Sequence, residues 1–252
     1  MSEEHISIKS ADEHLIYGTL HSLNQKSDKL IVFAHGLSHS HQHYLPLIAA
    51  PFFNNADFDF FAFSFYWRDK KARSLSQTSL KDQISDLKSV ITHYQSSYED
   101  IYLIGHSLGA LTALISNIGT IKAQSYWDPA FDVSHFWQVT NGLTPVKGNE
   151  LYQLNYGNTF LIHAELVEQI NDYPDKTCVE LAKLIKTPTQ LIIPSQSIFD
   201  ASPHSSPEAY LKALSGPSEL IYIEKANHTF TLEGNAEKLF NKALKWFNAH
   251  QS

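Results

Sequence analysis

The stretch Ile101-Tyr102-Leu103-Ile104-Gly105-His106-Ser107-Leu108-Gly109-Ala110 constrains this chain more than any other. A short apolar run ends in Gly-x-Ser-x-Gly, and a helix-compatible segment, Leu108 to Ile118, follows without a gap. Strand, sharp turn, then helix is the setting in which a serine is pushed into an exposed, strained nucleophile elbow. A turn that tight crowds the backbone on both sides of Ser107, and residues without a Cβ leave the room it needs. The pentapeptide alone is short enough to arise by chance, so the flanking strand and helix carry the reading. A nucleophile at Ser107 requires other stretches to supply a base, an acid and two donors for an oxyanion.

The surrounding pattern alternates strands with helices. Residues 5–8 and 14–20 read as an N-terminal hairpin, and Lys29–Ala34 is a continuous apolar run of the kind buried on both faces of a sheet. Asp57–Phe65, Ala123–Trp127, Gln190–Ile193 and Glu219–Ile223 are further strand candidates. Ser79 opens a helix whose apolar residues Leu80, Ile84, Leu87, Val90, Ile91 and Tyr94 share one face, and Ser79 with Asp82 resembles a capping box. Ser206-Pro207-Glu208 has the N-cap serine and N1 proline of a helix start. The last helix aligns Ala236, Leu239, Phe240, Ala243, Leu244 and Phe247. Such alternation predicts an α/β fold with a mostly parallel central sheet and helices on both faces. Residues 131–186 break the rhythm, with no strong strand but many aromatics, and are expected to form a small, mainly helical lid insertion. The core is then 1–130 and 187–252, in a chain of 252 residues that fits one large domain.

The base is expected last, on the loop after the final strand, where Asn227-His228-Thr229-Phe230 supplies His228. The acid is expected between serine and histidine, at the C-terminal end of a strand. Asp200 is favoured, following Gln190–Ile193 at a distance from His228 that suits one helix and one strand. Asp128, in Trp127-Asp128-Pro129-Ala130, is the rival, although Asp-Pro also suits an ordinary turn. For the oxyanion, the N–H of Leu108 follows the nucleophile directly. Leu37, after Ala34-His35-Gly36, is the expected second donor, because Gly36 lets its loop approach closely.

Other classes fit less well. The formal net charge of −7 gives no basic footprint for nucleic acid. No apolar run approaches the ~18 residues of a membrane span. The acidic N-terminus lacks a secretory h-region, so a cytoplasmic protein is expected. His35, His39, His41 and His43 cluster, yet no acidic or thiol partner lies nearby, so no metal is expected. His106 reads as structural, and the single cysteine, Cys178, has no neighbouring base.

In order and spacing, Ala34-His35-Gly36, Gly105-His106-Ser107-Leu108-Gly109, Asp200 and Asn227-His228-Thr229-Phe230 resemble the serine-nucleophile α/β-hydrolase superfamily. The nearest likeness is to lid-bearing carboxylesterases and to monoacylglycerol-lipase-like or serine-aminopeptidase-like members. Lys186-Thr187-Pro188-Thr189-Gln190-Leu191-Ile192-Ile193 is similar to that family's re-entry from lid to sheet. The resemblance implies Ser107, Asp200 and His228 as the triad, no cofactor, and a small-molecule carboxylic ester cleaved through an acyl-enzyme. Thioester, amide or peptide, and C–C bond hydrolysis use the same triad and stay open, as does a ligand-binding protein on this fold. Two departures stand out. The acid loop has Ser195 or Ser197 where relatives often have glycine, and Ser64-Phe65-Tyr66-Trp67-Arg68 replaces the usual Asp-x-Arg-Gly-type segment. Packing is the expected use of those aromatics.

Overall fold

The computed structural model describes residues 2–23, 27–133, 137, 142–156, 158–197 and 207–251. Its strands are β1 (Ser2–Lys9), β2 (Leu15–Ser22), β3 (Lys29–Ala34), β4 (Asp59–Ser64), β5 (Asp100–His106), β6 (Ala123–Trp127), β7 (Leu143–Pro145), β8 (Leu151–Tyr156), β9 (Asn158–His163), β10 (Thr189–Gln196) and β11 (Ser218–Asn227). The helices are α1 (Tyr44–Asn54), α2 (Leu80–Tyr94), α3 (Leu108–Ser116), α4 (Ala164–Asn171), α5 (Asp175–Ala182), α6 (Pro207–Ala213) and α7 (Asn235–Asn248).

The central sheet runs β1-β2-β4-β3-β5-β6-β10-β11. β1 and β2 form the expected hairpin, and β2 pairs antiparallel with β4. From β4 onward every neighbour is parallel. Residues alternate between the two faces along the inner strands, and each face carries its own apolar cluster. Leu30, Val32, Phe61, Phe63 and Leu103 pack toward α2 and α3. Ile31, Phe33, Phe60, Tyr102 and Ile104 pack toward α1 and α7, meeting Phe53, Leu239, Phe240 and Phe247. Both faces are covered, which is why these strands read as unbroken apolar runs.

Local chemistry sets the helix ends. Ser79 Oγ accepts from Asp82 N–H at 3.1 Å, while Asp82 Oδ2 accepts from Ser79 N–H at 2.8 Å, completing the capping box that starts α2. The loop ahead of α2 is tied down by Arg73, which is 5% exposed and donates to both Asp12 and Asp86. That contact joins the N-terminal hairpin, the loop and α2.

The described residues between β6 and β10 differ from the mainly helical insertion expected. β7, β8 and β9 form a separate three-stranded antiparallel sheet, and α4 and α5 follow. Its strands are short and only one face is buried: Leu154 and Ile162 are buried, while Thr159 and Leu161 are exposed. Such brief alternation is a weak signal beside the long runs of the main sheet. Leu154, Ile162, Leu166, Val167 and Ile170 join the cluster on the α2/α3 face. Gln169 Oε1 accepts from Lys81 N–H at 3.1 Å, fastening α4 to the start of α2.

Candidate active site

Ser107 occupies the turn between β5 and α3, with φ 54° and ψ −120°. A non-glycine residue in such a region is strained, and the neighbours must hold it there. Ser107 N–H donates to Trp127 O at 3.0 Å, and Ser107 O accepts from Ala110 N–H at 3.0 Å and Ala130 N–H at 3.1 Å. The flanking glycines are sterically required. A Cβ on Gly105 would lie 2.7 Å from Ala110 Cα, and one on Gly109 would lie 2.2 Å from Ala34 O. The strand–turn–helix geometry around Ser107 is as the sequence predicts.

His228 follows β11, on a loop stitched by Phe230 N–H to Asn227 O and Thr231 N–H to Asn227 Oδ1, both at 2.9 Å. His106 reaches across from the elbow, its Nε2–H donating to His228 O at 3.0 Å, and the two rings lie 4.8 Å apart. Burial pushes the His106 imidazole well below its ordinary range, so it is neutral and its proton is committed to this bond. His106 therefore ties the His228 loop to the Ser107 turn.

Among the described residues, the carboxylate on His228 is Asp128. Its Oδ2 lies 2.6 Å from His228 Nδ1, and its Oδ1 accepts from Ser197 Oγ at 2.7 Å. Asp128 follows β6 directly, takes φ 41°, and donates its own N–H to Ile192 O at 2.9 Å. Asp200, favoured from sequence, lies outside the described residues. The described geometry thus gives the rival residue the partner expected of Asp200.

The loop carrying Gly36 and Leu37 leans on the elbow. A Cβ on Gly36 would come 2.9 Å from Ser107 Cβ and 3.3 Å from Ser107 Oγ. The N–H groups of Leu37 and Leu108 donate to no protein acceptor among the described residues. Gly36 O accepts from His39 N–H at 3.2 Å and closes a turn in which Ser38 has φ 62°.

The histidine cluster is used up in packing and pairing. His35 Nδ1–H donates to Gly36 O at 2.8 Å, and its Nε2 accepts from Phe65 N–H at 3.1 Å. His41 Nδ1 pairs with Ser64 Oγ at 2.7 Å, and His39 stacks between His43 and His106. Burial drives His35 down to about 3 and His41 down to about 4, so both are neutral. Among the described residues no group of three or more His, Cys, Asp and Glu is placed to hold a metal ion. Cys178 is buried, donates to Tyr173 O at 3.3 Å, and has its thiol pushed up to about 12, mainly by burial. No helix among the described residues is long and apolar enough to cross a membrane.

Two contributors carried no usable sequence signal. Ser197 caps the Asp128 carboxylate from β10's far end, and Tyr66 Oη donates to Gly36 O at 3.3 Å. A lone serine or an aromatic in a run is indistinguishable from loop or core until the fold brings it to its partner.

Residues 31–242 match the model of the alpha/beta hydrolase family. No curated protein matches the sequence. Among solved structures, the chain is similar to Est1E from Butyrivibrio proteoclasticus with ferulic acid bound, at 15% identity and a TM-score of 0.78, covering 97% of this chain and 98% of that one. It is similar to the esterase domain of a Rhodothermus marinus protein at 16% identity and a TM-score of 0.76, covering 99% of each chain. A monoacylglycerol lipase from Paleococcus ferrophilus gives 18% identity and a TM-score of 0.70, covering 94% of this chain and 99% of that one.

Proposed function

The chain belongs to the alpha/beta hydrolase family, and from that premise we propose that it is a serine esterase cleaving small carboxylic esters through an acyl-enzyme. The observation that carries the reading is the 2.6 Å bond between Asp128 and His228, tethered through His106 to the strained Ser107 turn.

In this mechanism Ser107 Oγ attacks the ester carbonyl and His228 takes its proton at Nε2. Asp128 accepts from Nδ1–H, which sets the tautomer and stabilises the imidazolium once it forms. The tetrahedral oxyanion sits on the N–H groups of Leu37 and Leu108. His228 then gives its proton to the leaving alkoxide. Water, deprotonated by the same histidine, attacks the acyl group and releases the acid and Ser107. Ser107 Oγ makes no hydrogen bond among the described residues. In this mechanism its bond to His228 forms as substrate binds, since catalytic contacts are often long without ligand. The insertion, residues 131–186, serves as the lid that selects the acyl group.

The test is Ser107→Ala against p-nitrophenyl esters of graded chain length, together with fluorophosphonate labelling of the unaltered protein. Labelling at Ser107 and a loss of roughly a million-fold in the variant are expected. Wild-type turnover in Ser107→Ala sinks the mechanism. Methyl ferulate belongs in the panel because one similar structure holds ferulic acid. Thioester and anilide analogues separate ester cleavage from the other reactions this triad performs.

A further inference from the structure

The Gly36 carbonyl collects three donors: His35 Nδ1–H at 2.8 Å, His39 N–H at 3.2 Å and Tyr66 Oη–H at 3.3 Å. Two of the three come from side chains, and Tyr66 comes from a different segment, the loop just after β4. Its ring is 7% exposed and stands edge-on to His35, with centroids 5.1 Å apart at 81°. His35 is fixed in turn by Phe65 N–H, whose donation to Nε2 leaves the imidazole proton on Nδ1. The phenol itself is held protonated by burial, with the Ser38 and His39 amides facing its oxygen and opposing that effect. It stays a donor throughout the neutral range.

A peptide unit is planar and trans, so the carbonyl of one residue and the N–H of the next point in opposite directions. Groups that fix Gly36 O therefore fix the direction of Leu37 N–H. That N–H has no protein acceptor among the described residues, and the glycine before it touches Ser107. On the serine-esterase reading, which this inference deepens, we infer that Tyr66 is a positioning residue of the oxyanion hole. Its hydroxyl locks the Gly36–Leu37 peptide plane so that Leu37 N–H faces the developing oxyanion. The role differs from packing under the lid, which the ring alone would satisfy.

Tyr66→Phe removes the donor and keeps the ring. A missing oxyanion donor costs about 100- to 1,000-fold in rate, and a donor that is merely misdirected should cost less. Expected for Tyr66→Phe is a fall of about 10- to 100-fold in both kcat and the second-order rate of fluorophosphonate labelling. KM and the melting temperature should stay close to wild type. p-Aminophenylalanine placed at position 66 restores a donor and should recover most of the loss, whereas p-fluorophenylalanine there should not. That pair also answers the question if Tyr66→Phe fails to fold. Labelling and turnover at wild-type rates in Tyr66→Phe overturn the clamp while leaving the esterase reading intact. Equal rates for the amino and fluoro variants do the same. If the unaltered protein is not labelled at Ser107, the esterase reading and the clamp fall together.

Discussion

Asp128 and His228 stand 100 residues apart in the chain and 2.6 Å apart in the fold. The carboxylate ends β6 and the imidazole follows β11, with β10 lying between those strands in the sheet. The Asp128 side chain is 2% exposed and that of His228 10%, so water competes little for their bond.

Replacing the acid is the first test of that pairing. Asp128→Asn should lower kcat/KM by about 10,000-fold, because an amide no longer holds the histidine in its working tautomer. Asp200→Asn should stay within a few-fold of wild type. The reverse order, measured by steady-state kinetics on one p-nitrophenyl ester, returns the acid to Asp200.

Strain at Ser107 gives a prediction of opposite sign for stability. Ser107 sits at φ 54° and ψ −120°, a region costing about 1–3 kcal/mol for a side-chain-bearing residue. Ser107→Gly should abolish activity and raise the melting temperature. A lower melting temperature would mean that the serine side chain stabilises the turn more than its backbone strains it.

The two glycines that face the elbow should fail differently. In Gly109→Ala the new Cβ meets backbone, 2.2 Å from Ala34 O and 2.7 Å from His35 O. That clash should cost about 1–3 kcal/mol or more, seen as a melting temperature lower by several degrees. In Gly36→Ala the new Cβ meets the Ser107 side chain, at 2.9 Å from Cβ and 3.3 Å from Oγ. Activity should collapse there with little thermal change. Equal melting losses in calorimetry would contradict this division.

Buried neutral histidines make the fold acid-labile. His35 is lowered to about 3 and His41 to about 4, in both cases chiefly by burial. Unfolded, each takes a proton near pH 6.5; folded, each refuses it until far lower. Their contribution is therefore complete above pH 6.5 and is lost as pH falls toward about 4 for His41 and about 3 for His35. Each should add about 1.4 kcal/mol of lost stability per pH unit in that window. Urea titrations at pH 7, 6 and 5 should show the decline, and His41→Gln should reduce its slope by about one proton. An unchanged slope would mean that His41 protonates without leaving its site.

The main sheet was legible because strands buried on both faces need continuous apolar runs, as in Lys29–Ala34 and Ile101–Ile104. α2 was legible from its period and from the Ser79–Asp82 box. β8 and β9 were not, since each buries one short face and interleaves it with polar residues such as Gln153, Asn155 and Thr159. Ser107 and the His228 loop were expected from motif and order, and the fold brings both to the C-terminal ends of their strands. The acid did not, because two aspartates near the ends of neighbouring strands satisfy the same linear order. Only contact with Nδ1 can separate them, and among the described residues it is Asp128 that makes one. Tyr66 was beyond reach for a related reason: its function lies in which carbonyl its hydroxyl touches, and sequence does not encode that locally.

The contact between Gly109 and the Ala34 carbonyl also bears on how such a chain can diversify. A methyl group at 109 would overlap the end of β3, so helix α3 and the loop beginning at His35 cannot slide past one another without breaking both. Residues 142–163 include positions, such as the exposed Thr159 and Leu161, that are not so confined, and on the proposed function substitutions there can change the acyl group accepted. Substitutions there would leave the Ser107 turn undisturbed.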